Sequence, residues 1–167
     1  MDRDLFTQEL KRQLQAAPDY GLATREWAAV LRSRSAFPDL AGDLFAWVFG
    51  QYQGYTETRA KAGHELFKLD ASRAWGIVEQ LAASADPNDR DAALEFLSDF
   101  HEARAYELAR PMLRDPDLGL RWDAIDYLKS VYPTEVEIVL HELVEHSDPR
   151  VRATAHEKLN AFARPQT

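Results

Sequence analysis

The chain has no cysteine. Disulfides and thiolate metal sites are excluded, so any metal would have to be held by His, Asp or Glu. Glycine is scarce, seven in 167 residues, and none stands in the clustered run that cradles phosphate. No serine or threonine lies in a recognisable nucleophile motif. No apolar run approaches the ~20 residues that span a bilayer. The opening "MDRDLFTQELKRQL" also lacks the apolar stretch of a signal peptide, and a cytoplasmic protein that begins near Met1 is expected. Positive charge is in deficit: 20 Lys and Arg stand against 28 Asp and Glu, a formal charge of -8. Nucleic-acid affinity rests on Lys and Arg displacing counterions from phosphate, which disfavours DNA or RNA and makes a basic protein the better-matched partner. The bland alternative is that the acidity serves only solubility.

What is present is enough apolar material for a core. With 46% hydrophobic residues and 11% aromatics, a single globular domain over residues 1–167 is expected. Its organising feature is a repeat. An Arg-x-x-Ala-x-x-x-Leu pattern recurs every 31 residues, at Arg59/Ala62/Leu66, Arg90/Ala93/Leu97, Arg121/Ala124/Leu128 and Arg152/Ala155/Leu159. Three residues after each Leu stands another apolar residue: Leu69, Phe100, Val131 and Phe162. On a helix the three apolar columns fall within roughly one 60° sector, which predicts an amphipathic helix with a narrow buried stripe. A second apolar pattern with the same spacing precedes the last three: Ile77/Val78/Leu81/Ala82, Leu108/Ala109/Met112/Leu113 and Val139/Leu140/Leu143/Val144.

Each repeat therefore reads as a pair of helices. Asp86-Pro87, Asp115-Pro116 and Asp148-Pro149 supply an N-cap acceptor followed by proline in the first turn, and Asp70 and Thr134 are candidate caps for first helices. One pair cannot bury its apolar face alone, so stacking into a solenoid is expected. His156 and Lys158 occupy columns that are apolar in the middle repeats, which suits a water-facing terminal repeat. Four repeats span residues 56–163. Residues 1–55 diverge, with helices expected at about Asp4 to Ala17, Thr24 to Arg34 and Pro38 to Tyr52. There Trp27, Phe37, Phe45, Trp47 and Phe49 are expected to close the N-terminal end of the core. "DLFAWVFGQY" is read as the outer partner of the helix at Arg59.

"DPRVRATAHEKL" and "DPNDRDAALEFL" resemble the short HEAT-like repeat first associated with phycobilin lyases, a likeness that covers about Arg59 to Phe162. The resemblance implies an all-α fold, a right-handed α-α superhelix of about five helix pairs. It also implies that the repeat arginines, Arg59, Arg90, Arg121 and Arg152, are structural and join repeat to repeat through a nearby Asp. The first repeat departs from the pattern, with "GYTETR" in place of Asp-Pro.

Four of the five histidines precede glutamate: His64-Glu65, His101-Glu102, His141-Glu142 and His156-Glu157. A HEAT-like enzyme family, resembling deoxyhypusine hydroxylase, binds iron through His-Glu pairs set immediately after the repeat arginines. Here those positions hold Ala60, Asp91, Trp122 and Ala153, and the four pairs share no register. In "HELVEH" the histidines stand five apart, about 140° around a helix, which does not suit zinc. No metal or other cofactor is expected. A DNA glycosylase built on HEAT-like pairs is also disfavoured, by the acidity.

The columns one, five and eight residues after each Arg are expected to line a concave face. They hold Ala60, Asp91, Trp122 and Ala153, then His64, Glu95, Asp126 and Glu157, then Phe67, Ser98, Lys129 and Asn160. An exposed Trp beside carboxylates suits a protein partner bearing Lys or Arg. Asp91, Glu95, Trp122, Asp126, Lys129, Glu157, His64 and Phe67 are the candidate contacts, against the simpler reading of a solvated ridge. The expected function is a non-catalytic binding module, most specifically an immunity or antitoxin-type protein that sits on a basic bacterial toxin. A bilin-lyase-like, chaperone or scaffold role stays open.

Overall fold

The computed structural model describes residues 5, 7–9, 11, 12 and 40–162. The expected helix over Thr24 to Arg34, with Trp27 and Phe37, lies outside them. Every regular element among the described residues is helical. Residues 40–162 carry α1 (Ala41–Gln51), α2 (Thr56–Leu69), α3 (Ala71–Ala82), α4 (Pro87–Leu97), α5 (Ala103–Ala109), a 3-10 turn (Arg110–Arg114), α6 (Leu118–Leu128), α7 (Pro133–Val144) and α8 (Pro149–Phe162). The packing groups the chain into two compact units that meet in sequence at Phe100 and His101.

Three of the five expected caps, Asp70, Asp86 and Asp148, cap their helices. Asp70 accepts from the Arg73 backbone N–H at 3.0 Å, and Asp86 accepts from that of Asn88 at 2.9 Å with Pro87 in the first turn. Asp148 likewise accepts from the Arg150 N–H at 2.8 Å. Each carboxylate satisfies an N–H that has no intrahelical acceptor. Asp115 differs from expectation: it is buried, its carboxylate accepts from the Asp117 N–H, and Asp117 caps α6 by accepting from Leu120. The helix thus starts two residues later than "DPD" suggests, because the second aspartate takes the capping position. Thr134 is not a cap either, since Pro133 already begins α7 after Tyr132. Pro111 has no N–H to continue α5, and the chain tightens into the 3-10 turn with Met112 and Leu113 still inward.

In the first unit α1 packs on α2, α2 on α4, and α3 against both. Phe45, Phe49, Leu66, Phe96 and Leu97 are fully buried. Arg59 is buried with them, its side chain 0% exposed. Its Nε donates to the Phe49 carbonyl at 3.0 Å, its Nη1 to the Asn88 carbonyl at 3.4 Å, and its Nη2 to Asp89 Oδ1 at 2.6 Å. One guanidinium therefore serves an orphan carbonyl at the end of α1 and the first turn of α4. Gly63 completes the close approach: a Cβ there would stand 2.9 Å from ring carbons of both Phe49 and Phe96.

In the second unit α7 packs on α8, and α6 packs on the 3-10 turn, α5 and α7. Ala124, Leu128, Val136, Val139, Leu140 and Ala155 have no exposed surface. Across both units the Ala column at the 31-residue interval, Ala62, Ala93, Ala124 and Ala155, is fully buried, as are Leu66, Leu97 and Leu128. Leu159 is half-buried. The outermost column departs from the stripe: Leu69, which ends α2, is 52% exposed, and Phe100 and Val131 lie beyond the ends of their helices.

The other repeat arginines clamp their own loops. Arg90 donates to the carbonyls of Ser84 and Ala85, both at 2.9 Å, and Arg121 donates to that of Asp115 at 3.0 and 2.6 Å. Arg152 donates to the carbonyls of His146 and Ser147 at 2.7 and 2.8 Å. The Asp partner implied for these arginines occurs at Arg59, whose guanidinium also reaches carbonyls.

Removing one partner of a buried charge pair costs about 3–5 kcal/mol, so Arg59→Ala is expected to lower stability by that amount and by clearly more than Arg90→Ala. Urea unfolding of the two variants checks this, and equal losses would remove the special role of Arg59. For Gly63→Ala, overpacking of about 1–3 kcal/mol outweighs a helix-propensity gain of about 1 kcal/mol. A lowered denaturation midpoint is expected, and a raised one would mean that the two rings yield freely.

Candidate functional site

The candidate contacts separate by environment. On α4, held by its Asp86 cap, Asp91 is half-buried and Glu95 is exposed one turn later. Asp99, which the column reading passed over, follows one further turn along the chain, just beyond the helix end, with its side chain 71% exposed. The i, i+4 spacing places Asp91 and Glu95 on one side of the helix.

His64 and Phe67 do not stand alone on an open face. His64 lies against Phe96, ring centroids 4.7 Å apart, and stacks on Phe100 at 5.7 Å with 7° between the planes. Phe67 contacts Phe100 edge-on at 4.9 Å, and Trp75 meets Phe100 at 5.4 Å. Phe49 continues the cluster through Phe96 at 5.0 Å. Tilted and edge-on rings add attraction beyond their burial, so both residues are packing elements of the first unit. His64 Nε2 is buried and lies 3.2 Å from Asp99 Oδ2, but the alignment is too poor for a hydrogen bond. Ala60, expected on the open face, is buried. The signal for this cluster was legible as the aromatic pair Phe96 and Phe100, four apart, opposite a His and a Phe three apart.

In the second unit Trp122 is half-buried, while Asp126, Lys129 and Glu157 are exposed. Asp126 is not a bare acid. Its Oδ2 accepts from Lys158 at 2.6 Å, and its Oδ1 lies 3.5 Å from Lys129 Nζ. Lys158 also stands over the Trp122 ring, 5.8 Å from the centroid, within reach of the ring quadrupole. The charge at this column is thus mixed, because a lysine from α8 reaches the acid on α6.

The remaining histidines lie apart. His101 Nδ1 is 3.4 Å from the Tyr106 hydroxyl, and His146 Nδ1 accepts the Asp148 N–H at 3.0 Å. His141 and His156 are exposed. Among the described residues no three His, Asp or Glu side chains converge as a metal ion would require. No helix among them is long and apolar enough to cross a membrane. Tyr127, tilted against Tyr106 with ring centroids 5.5 Å apart, has its phenol pushed up, first by burial and then by the neighbouring Tyr106 and Glu102. No family model matches the chain, and no curated protein matches it either.

Because the fold keeps the Tyr127 phenol neutral while the unfolded chain ionises it above about pH 10, its contribution to stability is complete below that pH and declines as pH rises above it. Tyr127→Phe is expected to lessen the alkaline fall in the urea midpoint. An identical decline in the variant would show that burial does not hold back ionisation.

Proposed function

We propose that the chain is a HEAT-like α-α superhelix that works by binding another protein, without catalysis, and that its partner is basic. The observation that carries this reading is the acidic edge of the first unit, where Asp91, Glu95 and Asp99 follow one another at four-residue intervals. A surface of one sign raises the encounter rate with an oppositely charged partner and repels like-charged competitors. The formal charge of -8 reinforces that edge at longer range. The most specific form of the proposal is an immunity or antitoxin-type protein that masks a basic bacterial toxin. In this reading Arg59 ties the helices of the first unit together and the acidic edge meets the toxin.

The test is co-expression with the product of a neighbouring toxin-like gene, followed by calorimetry on the purified pair. Growth rescue is expected, together with an affinity that falls steeply with salt. Asp91→Lys combined with Glu95→Lys is expected to weaken binding by at least a hundredfold with unchanged helicity by circular dichroism. Undiminished, salt-insensitive binding by the double variant would reject the acidic edge.

A further inference from the structure

A separate feature of the second unit points to a small ligand. Helices α6, α7 and α8 border an open cavity of about 380 Å³, within the ~300–1,000 Å³ range of small-molecule sites. Its apolar lining comprises Pro133, Ala161 and Phe162, which keep exposed surface, and Ile125 and Leu140, which keep essentially none. Lys129, Lys158 and Asp126 also line it and carry its charge. Two ammonium groups against one carboxylate leave one net positive charge on a protein whose overall charge is strongly negative.

We propose that this cavity binds a small amphiphilic monocarboxylate, its apolar body against Pro133, Ala161 and Phe162 and its carboxylate beside Lys129 and Lys158. The two lysines have different parts. Lys158 is held close by Asp126 at 2.6 Å and is 25% exposed, so it is a positioned charge on the wall. Lys129 is 55% exposed and 3.5 Å from Asp126, and is the ammonium that can turn toward an incoming acid. Its hydrogen bond to the ligand would be charge-assisted and hence stronger than a neutral one. A monoanion balances the single net charge of the rim, whereas a doubly charged phosphate head would leave it negative. A cationic ligand would meet the two ammonium groups first. This site is independent of the acidic edge on α4, since none of its lining residues lies there.

Calorimetric titration of the full chain with octanoate tests the proposal. A saturable one-site isotherm is expected, with 1-octanol at least tenfold weaker because it has the same tail without the charge. Lys129→Gln together with Lys158→Gln is expected to weaken octanoate at least tenfold. Asp126→Asn, which removes the competing carboxylate, is expected to tighten it severalfold. Ala161→Trp leaves both lysines in place but fills the cavity and is expected to abolish binding. Absence of saturable heat, equal affinity for octanol, or undiminished affinity in the double lysine variant would overturn the site. The octanoate and octanol comparison uses the unaltered chain, so it decides even if a variant fails to fold.

Discussion

The structure depends on where it puts the guanidinium of an arginine at the start of a second helix. A helix end leaves carbonyls without intrahelical donors, and a short loop between packed helices adds more. Arg90, Arg121 and Arg152 each satisfy carbonyls five or six residues upstream, so that each loop is tied to the helix it introduces. Arg59 extends the same device across helices. Sealed from water, it holds the last turn of α1 and the first turn of α4 through five-donor chemistry that lysine does not possess.

Around these clamps the packing is tight because small residues permit it. The fully buried alanine column lets neighbouring helices approach, and Gly63 admits two phenylalanine rings where a methyl group would collide. The rings gathered there pack His64 and Phe67 against the core of the first unit while leaving each partly exposed. In the second unit the equivalent columns diverge toward charge: Lys158 stands where the middle repeats carry Phe96 and Tyr127, and it compensates Asp126. The surface chemistry of the two units therefore differs, acid-rich along α4 and cation-rimmed around an apolar cavity between α6, α7 and α8.

Much of this was legible beforehand. The Ala and Leu columns, the caps Asp70, Asp86 and Asp148, and the helix from "DLFAWVFGQY" that packs on the one at Arg59 all followed from spacing and local chemistry. Asp115 misled because two aspartates in "DPD" compete for one capping position, and Thr134 because the proline before it already begins the helix. The candidate site was less legible. A column drawn on an ideal helix treats every flank as open, and so it grouped Ala60, which is buried, with His64 and Phe67, which are half-buried against Phe96 and Phe100.

By itself the sequence determined the helices, their buried stripes and the net charge, because these depend on side chains within about one turn of each other and on composition. Only the tertiary structure decided that Arg59 meets Asp89 thirty residues on, and that Lys158 meets Asp126 across thirty-two. Those pairings require separate helices to be brought within about 3 Å. Whether a carboxylate on the surface is a docking charge or an already compensated one is a property of that approach.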